Sequence, residues 1–220
     1  MIREPYYSVG VFAEGRTDYD FLLGLIDQLI SANAADLLGP RFQSAPSRAI
    51  DAPAAKRRES REDRIAAAIE ENWDECTLFV IHADSDGDAG RALHERIEAG
   101  LARARVGHTD LAAAACVPVR ETEAWMLADA QAFSRLFDTP RAPALPEAPE
   151  SDLDPKRSLE AALTSLGARG KLTNYYADLG KTVNLAELRR LPAFCRFEAD
   201  LRAAILVVAD LAGKIPGPRV

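Results

Sequence analysis

The sequence predicts an α/β chain: a small parallel sheet flanked by helices, followed by a helical module. Three observations carry this. Residues 9–13 and 77–81 are short apolar runs without polar alternation, as in strands covered on both faces. Apolar residues at helical spacing follow each run, and beyond residue 155 only helical spacing remains. At 220 residues, 48% hydrophobic and 28% charged, the chain has enough for one good-sized core or a domain with an appendage. Disorder and fibre are excluded.

The elements follow in order. The run Val9-Gly10-Val11-Phe12-Ala13 stops at Glu14-Gly15 and reads as a central strand. Thr17 with Asp20 three residues on opens a helix carrying Phe21, Leu22, Leu25, Ile26 and Leu29. Three prolines break the stretch 40–53, leaving Arg41-Phe42-Gln43 as a short edge strand. Ile65, Ile69 and Trp73 mark a helix from about Ser60, and 77–81 is the second clear strand. Leu93, Ile97 and Leu101 carry the next helix, 111–119 a third strand, and 125–137 a helix after it. Strands alternating with helices argue for parallel pairing.

Residues 138–155 hold five of the thirteen prolines, the composition of a stiff linker, and divide a unit at 1–137 from one at 156–220. In the second unit Leu159 and Leu163, then Leu185 and Leu188, then Phe194, Phe197, Leu201, Ile205 and Val208 are spaced for helices. Pro155 and Pro192 stand where first-turn prolines belong.

The net charge of -7 and pI near 5.1 exclude nucleic-acid binding by bulk positive charge. The deficit lies in the first 110 residues, which hold 13 Lys and Arg against 20 Asp and Glu. Cys76, Cys116 and Cys195 are too few and too scattered for a disulfide framework, so reduced thiols in a cytoplasm are expected. Residues 1–8 lack a signal-like apolar run, and nowhere do about 18 apolar residues follow one another. The expectation is a chain neither secreted nor membrane-spanning.

The strongest chemical signal is Asp84-Ser85-Asp86-Gly87-Asp88, directly after the second strand. Alternate residues of an extended segment point to one side, so these carboxylates converge and call for a cation. Oxygen ligands with room for water and phosphate suit Mg2+ or Mn2+. Glu14 ends the first strand as Asp84 follows the second, and adjacent parallel strands bring them together. A parallel third strand delivers Arg120-Glu121-Thr122-Glu123 to the same edge, with Glu121 the better ligand and Glu123 an outer or structural acid. Asp18, one turn into the helix, reads as complementing the helix dipole. His82 reads as a hydrogen-bonded core residue, and His94 and His108 lack ligand-like spacing. The run Lys56 to Arg64, with acids interleaved, reads as a solvated helix start.

Other readings of the aspartates stay open. Counting twelve from Asp84 reaches Glu95, as in a calcium loop, although the sixth position is Ala89 and a strand precedes it. Asp-x-Asp-Gly after a strand also resembles haloacid-dehalogenase phosphatases, and a solvated acidic turn is the plain alternative. The sequence has no phosphate loop, dinucleotide fingerprint, nucleophile elbow or His-Glu-x-x-His.

Glu14-Gly15 ending a strand, a helix from near Asp18 and a later strand running into Asp84-x-Asp86-x-Asp88 together resemble the Toprim domain, over about the first 125 residues. Residues 119–129, with Arg120-Glu121-Thr122-Glu123-Ala124-Trp125, look like the signature of stand-alone, RloB-like Toprim proteins, relatives of the OLD-like nucleases in bacterial defence loci. Pro155-Lys156 and Phe194-Cys195-Arg196-Phe197 match further segments of that group.

The resemblance implies a parallel sheet of about four strands and Mg2+ on the aspartates, with a glutamate as general acid or base in phosphodiester chemistry. It also implies a nucleic-acid substrate, DNA or RNA, and an ATPase partner. The expected activity is Mg2+- or Mn2+-dependent nuclease chemistry. Glu14, Asp84 and Asp86 would be catalytic, Asp88 and Glu121 would complete the ligands, and Arg120 and Lys156 would approach phosphate. Lys171 and Lys181 are scattered cations. Tyr175-Tyr176 is not expected to act covalently. The rival expectation is a silent Toprim-like module that docks on the ATPase.

Overall fold

The computed structural model describes residues 4–85 and 89–214. Four parallel strands form the main sheet: β2 (Val9–Phe12), β4 (Arg48–Ala49), β5 (Leu78–His82) and β6 (Ala113–Cys116), in the order β4-β2-β5-β6. A parallel pair of β1 (Tyr6–Tyr7) and β3 (Gln43–Ser44) extends one end. The edge strand expected at 41–43 therefore becomes two short segments, paired to β1 and β2 on either side of Pro46. Val9 is level with Leu78, and His82 with Cys116. The chain thus leaves β2, β5 and β6 at one edge.

Alternation along the strands divides the core. Val9, Val11, Leu78, Val80, Ala114 and Cys116 face one side, while Phe12, Phe79 and Ile81 face the other. The second side is covered by α2 (Arg61–Glu71) and α4 (Ala99–Gly107) through Ile65, Ile69 and Leu101. Ser60 caps α2 by accepting from the Asp63 N–H. The helix expected around Leu93 to Leu101 comprises α3 (Ala89–Leu93), a π-helical turn His94–Glu98 and α4.

The first side is covered by α1 (Arg16–Leu38), whose Phe21, Leu22, Leu25, Ile26 and Leu29 are fully buried. This helix is long and apolar enough to cross a membrane, but these side chains lie in the core. It begins one residue before Thr17: Gly15 is the N-cap and its N–H donates to Asp18 Oδ2 at 2.9 Å. It ends at Gly39, whose φ of 67° few other residues would adopt.

The expected helix at 125–137 is two short ones, α5 (Glu123–Met126) and α6 (Ala130–Leu136). Asp129 interrupts it by accepting from the Gln131 N–H and capping the second. Beyond the prolines lie α7 (Pro155–Ser165), α8 (Tyr176–Thr182), α9 (Leu185–Leu188) and α10 (Pro192–Lys214). Their apolar faces enter the core begun by β2 and α1. Tyr7 donates its hydroxyl to the Ile205 carbonyl, and Trp125 packs between Phe194 and Phe197 at centroid distances of 5.4 and 5.8 Å. In the proline-rich segment, Glu150 accepts from Trp125 Nε1 and the Ala193 N–H. The prolines mark a change of composition, while the helices on both sides of them share one core.

A candidate metal centre at the carboxyl edge of the sheet

Parallel strands that end together present their last side chains to one crevice. Here β5 continues through His82, Ala83 and Asp84, and the alternation that turns Leu78 and Val80 toward α1 turns His82 the same way. Its Nδ1 lies 3.8 Å from Asp18 Oδ2, and its Nε2 lies 3.3 Å from Asp84 Oδ1. Ligand atoms of Asp18, His82 and Asp84 all fall within 4.8 Å of one another, close enough to share one cation.

His82 is fully buried, yet neither ring nitrogen has a hydrogen-bond partner among the described residues, nor has Asp84 Oδ1. Buried polar atoms are almost always satisfied, so an imidazole with orphaned nitrogens facing the two carboxylates fits an electropositive guest held by one of its nitrogens. Asp18 is oriented for it. Its Oδ2 accepts from Gly15, and its Oδ1 accepts from Thr122 Oγ1 at 3.2 Å. Thr122 follows β6, so first helix, central strand and third-strand exit meet at Asp18.

The geometry revises two readings. Asp18 complements its helix N-terminus, and it also faces the cluster. His82 is a core residue by burial, but among the described residues its ring has no hydrogen-bond partner. A place in the first turn of α1, four residues after Glu14, is the signal for Asp18, and two-residue spacing from Asp84 is the signal for His82. Asp86 and Asp88 lie outside the described residues. Glu95 lies in the π-helical turn and pairs with Arg91, so the twelve-residue count does not describe an open calcium loop.

Glu14 stands at the end of β2 but outside the three-residue cluster. Its Oε1 meets Arg61 Nη1 at 2.9 Å and Arg96 Nη1 at 3.6 Å. Arg61 also donates to the carbonyls of His82 and Arg96, at 2.7 and 3.0 Å, and Arg96 donates to the Asp84 carbonyl at 2.7 Å. Burial pulls the Arg61 pKa below the usual range, against the opposing attraction of Glu14. The solvated helix start expected at 56–64 therefore contains one cation that faces the strand ends.

Glu121 takes an ion pair from Lys156 at the start of α7. Burial disfavours the charged Lys156, but its hydrogen bond to Glu121 and the charges of Glu123, Glu121 and Asp84 raise its pKa overall. Lys156 and Arg120 line a cavity of about 230 Å³ with Glu121, Leu153, Asp154 and Pro155. Glu123 points inward, 3% exposed, and accepts from the Tyr176 hydroxyl at 3.2 Å. Burial raises its carboxyl above the ordinary range. Most of the Arg-Glu-x-Glu-Ala-Trp stretch is thus packing, with Arg120 and Glu121 left at the edge. No family model matches the chain, and neither do any curated protein or solved structure.

Proposed function

We propose that the chain is a divalent-metal-dependent phosphodiester hydrolase, a nuclease, with its centre at the carboxyl edge of the sheet. The observation that carries this is the orphaned set of His82 Nδ1, His82 Nε2 and Asp84 Oδ1 beside Asp18. Asp18, His82 and Asp84 would hold the ion, with Asp86 and Asp88 assigned to the same task by sequence. An imidazole beside carboxylates suits Mn2+ better than Mg2+, which favours oxygen alone. When bound, the ion would polarise the phosphoryl oxygens and lower the pKa of a water.

The remaining chemistry belongs to the side chains. Glu14, on the neighbouring strand end, accepts the proton of the attacking water. Thr122 and the Gly15 N–H hold the Asp18 carboxylate in one orientation, so the cluster does not reorganise when it is loaded. Lys156 and Arg120 offer positive charge on the side of the third strand. The free thiols Cys76, Cys116 and Cys195 support a reducing compartment, the cytoplasm.

The test is incubation of the purified chain with Mn2+ or Mg2+ and single- or double-stranded DNA and RNA. Cleavage is expected with at least one substrate, and Glu14→Gln should slow it by about 10²- to 10⁴-fold. No cleavage under any combination, or cleavage by Glu14→Gln and Asp84→Asn as strong as that of wild type, would overturn the proposal.

A further inference from the structure

Glu14 ends β2 at the edge of the sheet where Asp84 follows β5, and the hydrolase reading brings the phosphodiester to that edge. Two arginines that hold no metal stand beside Glu14. Arg61 is the first residue of α2, and Arg96 sits in the π-helical turn His94–Glu98. Such turns are rare and gather at functional sites. Both guanidinium groups approach the same atom, Glu14 Oε1, at 2.9 and 3.6 Å.

Each guanidinium is also fixed from behind. Arg61 Nη2 donates to the His82 carbonyl and its Nε to the Arg96 carbonyl, while Arg96 Nη1 donates to the Asp84 carbonyl. The Arg61 side chain is only 22% exposed. A largely buried guanidinium and a part-exposed one, Arg61 and Arg96, both oriented and converging on one oxygen, make an anion site, and the planar fork suits phosphate as well as carboxylate.

We propose that Arg61 and Arg96 form an anion clamp for a phosphodiester group of the substrate, with Glu14 as the internal anion that occupies it beforehand. The identity of the ligand rests on the hydrolase reading above. A phosphodiester carries one negative charge per phosphate, as Glu14 does, so the exchange leaves the charge at the clamp unchanged. It also frees the Glu14 oxygen from its guanidinium partners at the moment when it must accept a proton. Substrate binding and release of the base become one event.

The test uses the full chain in EDTA, so that no metal contributes. Inorganic phosphate is titrated by 31P NMR, and a short single-stranded oligonucleotide by fluorescence anisotropy at fixed salt. Glu14→Gln removes the competing charge and should tighten binding of both probes roughly tenfold, the scale of one charge-assisted hydrogen bond. Adding Arg61→Lys or Arg96→Lys to that variant should reverse the gain, with circular dichroism confirming the fold. Tightening for phosphate but not for the oligonucleotide would overturn the phosphodiester assignment. Unchanged or weaker binding of both by Glu14→Gln would overturn the clamp, leaving the arginines only to hold Glu14. A chain that binds as expected here but cleaves nothing with Mn2+ or Mg2+ keeps the clamp and loses the hydrolase reading.

Discussion

Replacing His82 with leucine should make the metal-free protein more stable and the metal-loaded protein less stable than wild type. In wild type both imidazole nitrogens are buried without a hydrogen-bond partner among the described residues, next to two carboxylates. An unsatisfied buried polar group costs about 1–3 kcal/mol, and leucine removes it at similar volume. Allowing for imperfect fit, His82→Leu should gain about 1 kcal/mol in EDTA, or roughly 2–4 °C in Tm for a chain of this size. With Mn2+ at about 100 times its Kd, wild type should gain about 2.7 kcal/mol, roughly 5–11 °C. The variant, lacking one ligand, should gain much less. Thermal melts of both proteins in EDTA and in Mn2+ should therefore cross over in rank. If His82→Leu is less stable than wild type by the same amount in both buffers, the imidazole is an ordinary packed side chain and holds no ion.

Three further outcomes follow from the packing and burial. A Cβ at Gly180 would lie 2.1 Å from the Phe21 carbonyl oxygen, so Gly180→Ala must push α8 off α1. It should cost about 3 kcal/mol by urea denaturation, despite alanine's better helix propensity. Glu198 accepts from Arg189 Nη2 at 2.7 Å and from Asn33 Nδ2 at 3.1 Å. Burial pushes its carboxyl up, but these bonds prevail and depress it. Its stabilisation is present above the unfolded carboxyl pKa of about 4.3 and is lost as pH falls through the lower folded value. Glu198→Gln should therefore cost about 2 kcal/mol at pH 7 and almost nothing well below pH 4. For Glu123 the sign is opposite. Burial raises its carboxyl, so its contribution is full below about pH 4.3 and is lost as pH rises through the folded value. Glu123→Gln should raise Tm at pH 7.5 and leave it unchanged at pH 4.

Much of this could be read along the chain. Short apolar runs at 9–13 and 77–81 locate the strands Val9–Phe12 and Leu78–His82 because a parallel sheet covered on both faces needs no polar alternation, and that property is local. The helix starts at Ser60, Pro155 and Pro192 were equally legible, since capping depends on the residue itself and its next turn. The break at Asp129 was not, because a side chain that caps one helix while also accepting from Arg135 and from the Asn184 N–H depends in part on a residue far along the chain. The proline-rich segment looked like a divider because composition shows stiffness and not what packs across it.

The sequence by itself determined which acids stand at strand ends, since Glu14 follows one apolar run directly and Asp84 comes within three residues of the end of the other. It also determined the α/β order, because hydrophobic period is a property of neighbouring residues. Only the tertiary structure decided who meets whom at that edge. Asp18 and His82 read singly as a helix-end acid and a core histidine. Their place in one cluster with Asp84 depends on α1 crossing the face of the sheet toward which β5 turns them. Arg61 and Arg96 lie 35 residues apart and converge on Glu14 because α2 and the π-helical turn pack on the other face of that sheet. Charge and spacing along a chain are one-dimensional, while a binding site depends on distances that only packing sets.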